Sequence, residues 1–135
     1  MTVKCFTYTG KVRGQHRPRF TRTGHAYELQ ADKEYKQSIA AAYIDQCKGY
    51  MFADVPLEVA IYVTRALPKS RPKKLQSEPD TYKPDVDNIA KAVLDALNGI
   101  AWHDDSQIVS LFIEKNCRLR SKETDTLAVH IEDWG

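Results

Sequence analysis

Apolar residues recur at two periods along this chain, and the change from one period to the other lays out its secondary structure. Leu57, Val59, Ile61 and Val63 alternate with Glu58, Ala60, Tyr62 and Thr64, the period-two signature of a strand with one buried face. Leu127, Val129 and Ile131 alternate with Ala128 and His130, so a second strand is expected over Thr126 to Ile131. Val86, Ile89, Ala90, Val93, Leu94 and Leu97 instead repeat at i, i+3, i+4, i+7, i+8 and i+11. That spacing puts them on one side of an amphipathic helix, which Asn98-Gly99 would end. Another helix is expected from Asp32 to Lys48, with Tyr35, Ile39, Ala42, Tyr43 and Cys47 on its apolar face and Gly49 as its stop. β-branched and aromatic content marks two further strands, Val3 to Tyr8 and Gln107 to Lys115. The order is strand, hairpin, helix, strand, helix, strand, strand, read as one small domain over residues 1–135 with two main helices.

Two segments carry neither period. From Gly10 to Tyr27, glycines and a proline punctuate a run in which Lys11, Arg13, Arg17, Arg19 and Arg22 interleave with Phe20 and Tyr27. Cations mixed with aromatics suit a surface that tracks phosphates and stacks on bases, and they equally suit an ordinary charged hairpin. From Ala66 to Lys83 the chain holds Pro68, Pro72 and Pro79 with Lys69, Arg71, Lys73 and Lys74. A long loop of this kind is either functional or a solvated connection. Its position directly before an acidic motif favours a DNA-contacting flap.

Charge sharpens this picture. The net charge is only +2, but up to Lys83 there are 15 Lys and Arg against 8 Asp and Glu, and beyond it 5 against 10. A basic portion suits a polyanionic partner, and acids gathered elsewhere suit a cation site. Cys5, Cys47 and Cys117 are odd in number and widely spaced, which gives neither a disulfide framework nor a metal pair and fits a reduced, cytoplasmic chain. No stretch approaches the roughly 18 apolar residues of a membrane span.

The acids of the second portion are not scattered. Asp85 and Asp87 stand at the expected start of the second helix, and Asp104 and Asp105 stand just before the next strand. Capping of free helix N–H groups would explain either member of the first pair. It does not easily explain both pairs, because neighbouring carboxylates repel unless a cation lies between them. Mg²⁺ takes carboxylate oxygens and keeps several waters, and phosphodiester hydrolysis needs such an ion. Asp85, Asp87 and Asp105 are the candidate ligands, with Asp104 as the alternative at the last position. Lys91 lies four residues after Asp87 and four before Asp95, a spacing open to a surface salt-bridge ladder or to a lysine that holds the scissile phosphate. His16, His25, His103 and His130 have no zinc-ligand spacing, and His103 reads as a surface residue beside the acids.

The string Lys83-Pro84-Asp85-Val86-Asp87-Asn88, followed by Lys91, Asp95-Ala96-Leu97 and Trp102-His103-Asp104-Asp105-Ser106-Gln107, resembles the RusA family of Holliday-junction resolvases. The resemblance is firm from Lys83 to about Lys115 and looser over Gly10 to Phe20. It implies a RusA-like, dimeric α+β nuclease with a mixed sheet that resolves four-way junctions by paired symmetric nicks in DNA recombination and repair, using Mg²⁺ or Mn²⁺. It also implies that Asp85, Asp87, Asp105 and Lys91 are the catalytic residues, and that a phage or prophage origin is in keeping with many relatives. The alternative is a branched-DNA-binding protein of the same fold that does not cut. Because two nicks need two sites, a homodimer is expected, with its interface on a face or edge of the strands Leu57 to Val63 and Leu127 to Ile131.

Overall fold

The computed structural model describes residues 1–134. Strand β1 (Val3–Thr9) leads into the basic arm, which carries the two-residue strands β2 (Arg19–Phe20) and β3 (Ala26–Tyr27). Helix α1 (Gln30–Cys47) then precedes β4 (Leu57–Thr64), the short β5 (Ser77–Glu78) and helix α2 (Val86–Leu97). A single 3-10 turn over Asp105–Gln107 opens β6 (Ile108–Lys115), and β7 (Arg118–Leu119) and β8 (Thr126–Asp133) complete the chain. Helix α1 begins two residues earlier than its apolar pattern suggests and stops where Lys48 and Gly49 both take positive φ, a conformation that is cheap for glycine.

The main sheet has the order β1-β8-β4-β6. β8 runs antiparallel to both β1 and β4, while β4 and β6 are parallel, so the sheet is mixed as expected. Helix α2 is the crossover between the two parallel strands, the connection that such a pair requires. Both helices cover one face. Phe6, Leu57, Val59, Ile61, Val63, Leu127, Val129 and Ile131 meet Tyr35, Ile39, Tyr43, Ile89, Val93 and Leu97 in one core cluster. The opposite face is open and bears Cys5, Tyr62, Phe112, Ala128 and His130. None of the described helices is long and apolar enough to cross a membrane. All three cysteines are free, with Cys47 buried.

Two expectations are corrected. The alternating residues of β4 and β8 are not a dimer face, because their apolar sides are consumed by α1 and α2 within one chain. Both strands are also interior to the sheet, so neither offers an edge. The segment from Ala66 to Lys83 is not a loose flap. Leu67 is buried, β5 pairs with β7, and Arg120 donates to the carbonyls of Leu75 and Pro72 at 2.7 and 2.8 Å. The arginines that tie it down lie some forty residues further along the chain, where local pattern has no access to them.

Candidate active site

Helix α2 begins at Asp85, whose backbone is extended and whose side chain makes no capping hydrogen bond. Asp87 is exposed in the first turn. Neither carboxylate has a hydrogen-bond or ion-pair partner among the described residues, so the capping explanation for this pair is not met. Lys91, one turn further on, is also exposed and forms no ion pair among the described residues. The ladder with Asp95 is absent because Asp95 turns to Lys36, 2.5 Å away across the helix pair.

The turn that delivers Asp85 is built from far-apart residues. The Asp80 side chain is fully buried and held by two hydrogen bonds from Arg65, Nε to Oδ2 and Nη2 to Oδ1, both 2.8 Å. Burial alone would raise its pKa; the hydrogen bonds and charge of Arg65, aided by Lys115 at 3.5 Å, outweigh that and hold it below the usual 3.8. Lys115 Nζ also donates to the carbonyls of Tyr82 (2.6 Å) and Pro84 (3.0 Å), the latter being the carbonyl of the peptide that enters Asp85. The Lys83-Pro84 bond is cis. Arg65 follows β4 and Lys115 ends β6, so the parallel pairing of these strands brings both cations under the turn.

The base of the arm closes the other side. Asp125 accepts from Val12 N (3.0 Å) and Ala66 N (2.8 Å), and Gln15 N donates to Asn88 O at 2.9 Å. Gly14 passes so close that a Cβ there would lie 2.8 Å from Pro84 Cβ and 3.1 Å from Asn88 Cβ. Between arm and turn lies a groove of about 490 Å³ whose wall includes Lys11, Arg13, Arg65, Lys83, Asp85 and Asn88.

The nine candidate DNA-binding cations divide into two groups. Arg13 donates to the buried Asp32 at 3.1 and 3.3 Å, beside His16 at 3.2 Å, and Arg71 pairs with Glu78 at 3.0 Å. Both are committed to holding the arm and the strap in place. Lys11, Arg17, Arg19, Arg22, Lys69, Lys73 and Lys74 are exposed and have no ion-pair partner among the described residues. Arg19 and Arg22 lie on the β2-β3 hairpin with Phe20, which is 68% exposed.

The second acidic pair has a different character. Asp104 Oδ2 accepts from Ser106 N at 3.0 Å, while Gln107 Oε1 accepts from Asp104 N at 3.1 Å. The Ser106 hydrogen bonds hold the Asp104 carboxyl below its usual pKa. Asp104 is therefore the cap of the 3-10 turn. Asp105 uses Oδ1 to accept from the indole of buried Trp102 at 2.8 Å, and its Oδ2 has no hydrogen bond among the described residues. His103 pairs with Asp54 at the surface, as its sequence position suggested. Among the described residues no three His, Cys, Asp or Glu side chains come close enough to hold a metal ion. The donor chemistry fits a hydrated Mg²⁺, which takes one or two carboxylates and completes its shell with water and substrate phosphate. It does not form a three-carboxylate cage within one chain.

Sequence reading missed Arg65, Asp80, Lys115 and Gly14, and no spacing rule connects positions 65, 80 and 115. Comparison with known proteins agrees with the motif. The family described as Endodeoxyribonuclease RusA matches residues 9–132. The chain is also 36% identical over 121 residues to the uncharacterized protein YqaN of Bacillus subtilis (strain 168), covering 82% of this chain and 84% of that one. A match that spans the arm, both helices and three of the four main strands places this chain in the RusA endodeoxyribonuclease family.

Proposed function

We propose that the chain is a Mg²⁺- or Mn²⁺-dependent endodeoxyribonuclease that acts as a homodimer on four-way DNA junctions, resolving them by paired symmetric nicks in recombination and repair. The observation that carries this reading is the state of Asp85 and Asp87, two adjacent carboxylates free of caps and ion pairs beside a groove walled by cations. Bound there, the ion supplies the Lewis acidity that phosphodiester hydrolysis needs. Asp85 and Asp87 would hold it, with Asp105 contributed across the homodimer, since no three such ligands come together within one chain among the described residues. Lys91, unpaired one turn from Asp87, would meet the scissile phosphate. The arm and strap cations Lys11, Arg17, Arg19, Arg22, Lys69, Lys73 and Lys74 would hold backbone phosphates, with Phe20 available for stacking.

The competing reading is a branched-DNA-binding protein of the same fold that does not cut. A nicking assay on four-way, forked and linear DNA, with Mg²⁺, with Mn²⁺ and with chelator, separates the two. Metal-dependent nicks at symmetry-related positions of the four-way substrate are expected. Tight junction binding without nicks in either metal would leave the binding protein. A cytoplasmic site of action and a phage or prophage origin belong to the same proposal.

A further inference from the structure

The open face of the main sheet carries a row of three reactive side chains that DNA cutting does not use. Cys5 on β1 stands directly opposite His130 on β8, and Glu132 follows two residues along β8. Their neighbours Phe6, Val129 and Ile131 point into the core, so strand alternation puts all three on the side away from the helices. They touch in sequence across the face. Cys5 Sγ lies 3.2 Å from His130 Nδ1, and His130 Nε2 lies 3.3 Å from Glu132 Oε2. β8 is paired on both sides, to β1 and to β4, which fixes the backbone that carries the ring. Opposite His130 on β4 stands Ala60, too small to crowd an imidazole.

Glu132 sets the direction of these hydrogen bonds. An ionised carboxylate only accepts, so Nε2 carries the ring proton; in the neutral imidazole Nδ1 is then the acceptor and the thiol the donor. A thiol that donates to a histidine, itself oriented by a carboxylate, is arranged to give up its proton as the sulfur attacks. Access is open. Cys5 is exposed, the His130 side chain is 39% exposed, and a hollow of about 320 Å³ borders both, with Gln46, Tyr62 and Ala128 also on its wall. The other two cysteines lack this setting. Burial pushes the Cys47 thiol up, and Cys117 is exposed without a hydrogen-bond partner among the described residues.

We propose that Cys5, His130 and Glu132 form a reactive-thiol site that takes hydroperoxides. The Cys5 sulfur attacks the nearer oxygen of the peroxide, so that an S–O bond forms as the O–O bond breaks. His130 takes the thiol proton at Nδ1 and returns it to the departing oxygen. The products are the Cys5 sulfenic acid and an alcohol, or water when the oxidant is hydrogen peroxide; the sulfur is oxidised and the peroxide reduced. The site lies on β1 and β8 and makes no use of Asp85, Asp87 or Lys91, so it stands apart from the nuclease reading.

The test sets one exposed thiol against the other within the same molecule. The reduced full chain is treated with hydrogen peroxide in the presence of dimedone, which traps sulfenic acid, and the adduct at each cysteine is timed by peptide mass spectrometry. Cys5 should react about 10²-fold faster than Cys117, the low end of what a positioned acid–base group supplies. His130→Gln should bring Cys5 down to the Cys117 rate. Glu132→Gln should slow Cys5 several-fold, because an amide can donate as well as accept and no longer fixes the ring tautomer. The Cys117 rate and the melting temperature should stay at their wild-type values in both variants. Iodoacetamide, which probes the nucleophile without oxidation, should rank the two thiols in the same order. Equal rates at Cys5 and Cys117 in the wild type would overturn the site, as would a folded His130→Gln protein whose Cys5 reacts as fast as before.

Discussion

The entrance and the exit of helix α2 both present paired aspartates, yet they are built on opposite terms. At the entrance, Asp85 and Asp87 have no local partners, and the fold spends three other residues, Arg65, Asp80 and Lys115, on holding the turn beneath them. At the exit, the carboxylates do structural work themselves: Asp104 caps a turn, and Asp105 Oδ1 accepts from the Trp102 indole. Carboxylates left unpaired next to each other repel, so an unpaired pair held rigidly suggests a group waiting for a cation. A carboxylate that accepts backbone N–H bonds is already satisfied. This contrast favours Asp105 over Asp104 as the candidate third ligand, because the Asp104 carboxylate caps a turn by accepting a backbone N–H whereas Asp105 accepts only from the Trp102 indole.

The largest effect that could break the contrast is on cutting. Asp85→Asn, Asp87→Asn and Asp105→Asn should each lose cleavage by orders of magnitude, while junction binding in chelator stays near wild type. Asp104→Asn should cut and show only a small loss of melting temperature. An inactive Asp104→Asn with an active Asp105→Asn would reverse the assignment at the exit.

Next in size is Lys91→Ala. With no ion pair to lose, its stability should change by less than about 0.5 kcal/mol, whereas loss of a cation at the transition state should slow single-turnover cutting by about 10²- to 10³-fold. Near-normal turnover with intact folding would make Lys91 an ordinary surface lysine.

The support under the entrance is tested through stability. Arg65→Met leaves the Asp80 carboxylate buried without its main partner and should cost about 3–5 kcal/mol in urea unfolding. Asp80 titrates below its ordinary 3.8 in the folded chain, so its contribution is fully present above that pH. It is lost as pH falls through the lowered folded value. Asp80→Asn should therefore lower stability at neutral pH and flatten the decline below pH 3.8; an unaltered acid limb would remove Asp80 from the account.

The smallest expected effects lie on the arm. Gly14→Ala would force a Cβ to 2.8 Å from Pro84, and a several-fold loss of junction affinity with little change in melting temperature is expected as the arm swings from the groove. Neutralising Arg17, Arg19 and Arg22 should weaken binding and flatten its dependence on log salt by about 0.9 per lost phosphate contact. Neutralising Arg13 should instead lower stability, since its charge is committed to Asp32. Equal salt slopes for both sets would erase that distinction.

Much of this molecule was determined by local pattern. The two helices and strands β4 and β8 follow from apolar periodicity, because each buries one face and the period of burial is the period of the element, and β1 and β6 follow from strand-like residue content. The two acidic pairs and Lys91 were equally legible, since capping positions and i,i+4 spacing are properties of neighbouring residues. Their surroundings were not. Sheet order, the closure of the Ala66–Lys83 strap by Arg118 and Arg120, the clasp of Arg65 and Lys115 on Asp80, and the approach of Gly14 to Pro84 join residues tens of positions apart. Only the folded chain decides those contacts. Tertiary structure also decided the point most relevant to chemistry: a helix between two strands carries its ends apart by its own length, so acids that are close in sequence became the two ends of one chain's βαβ unit.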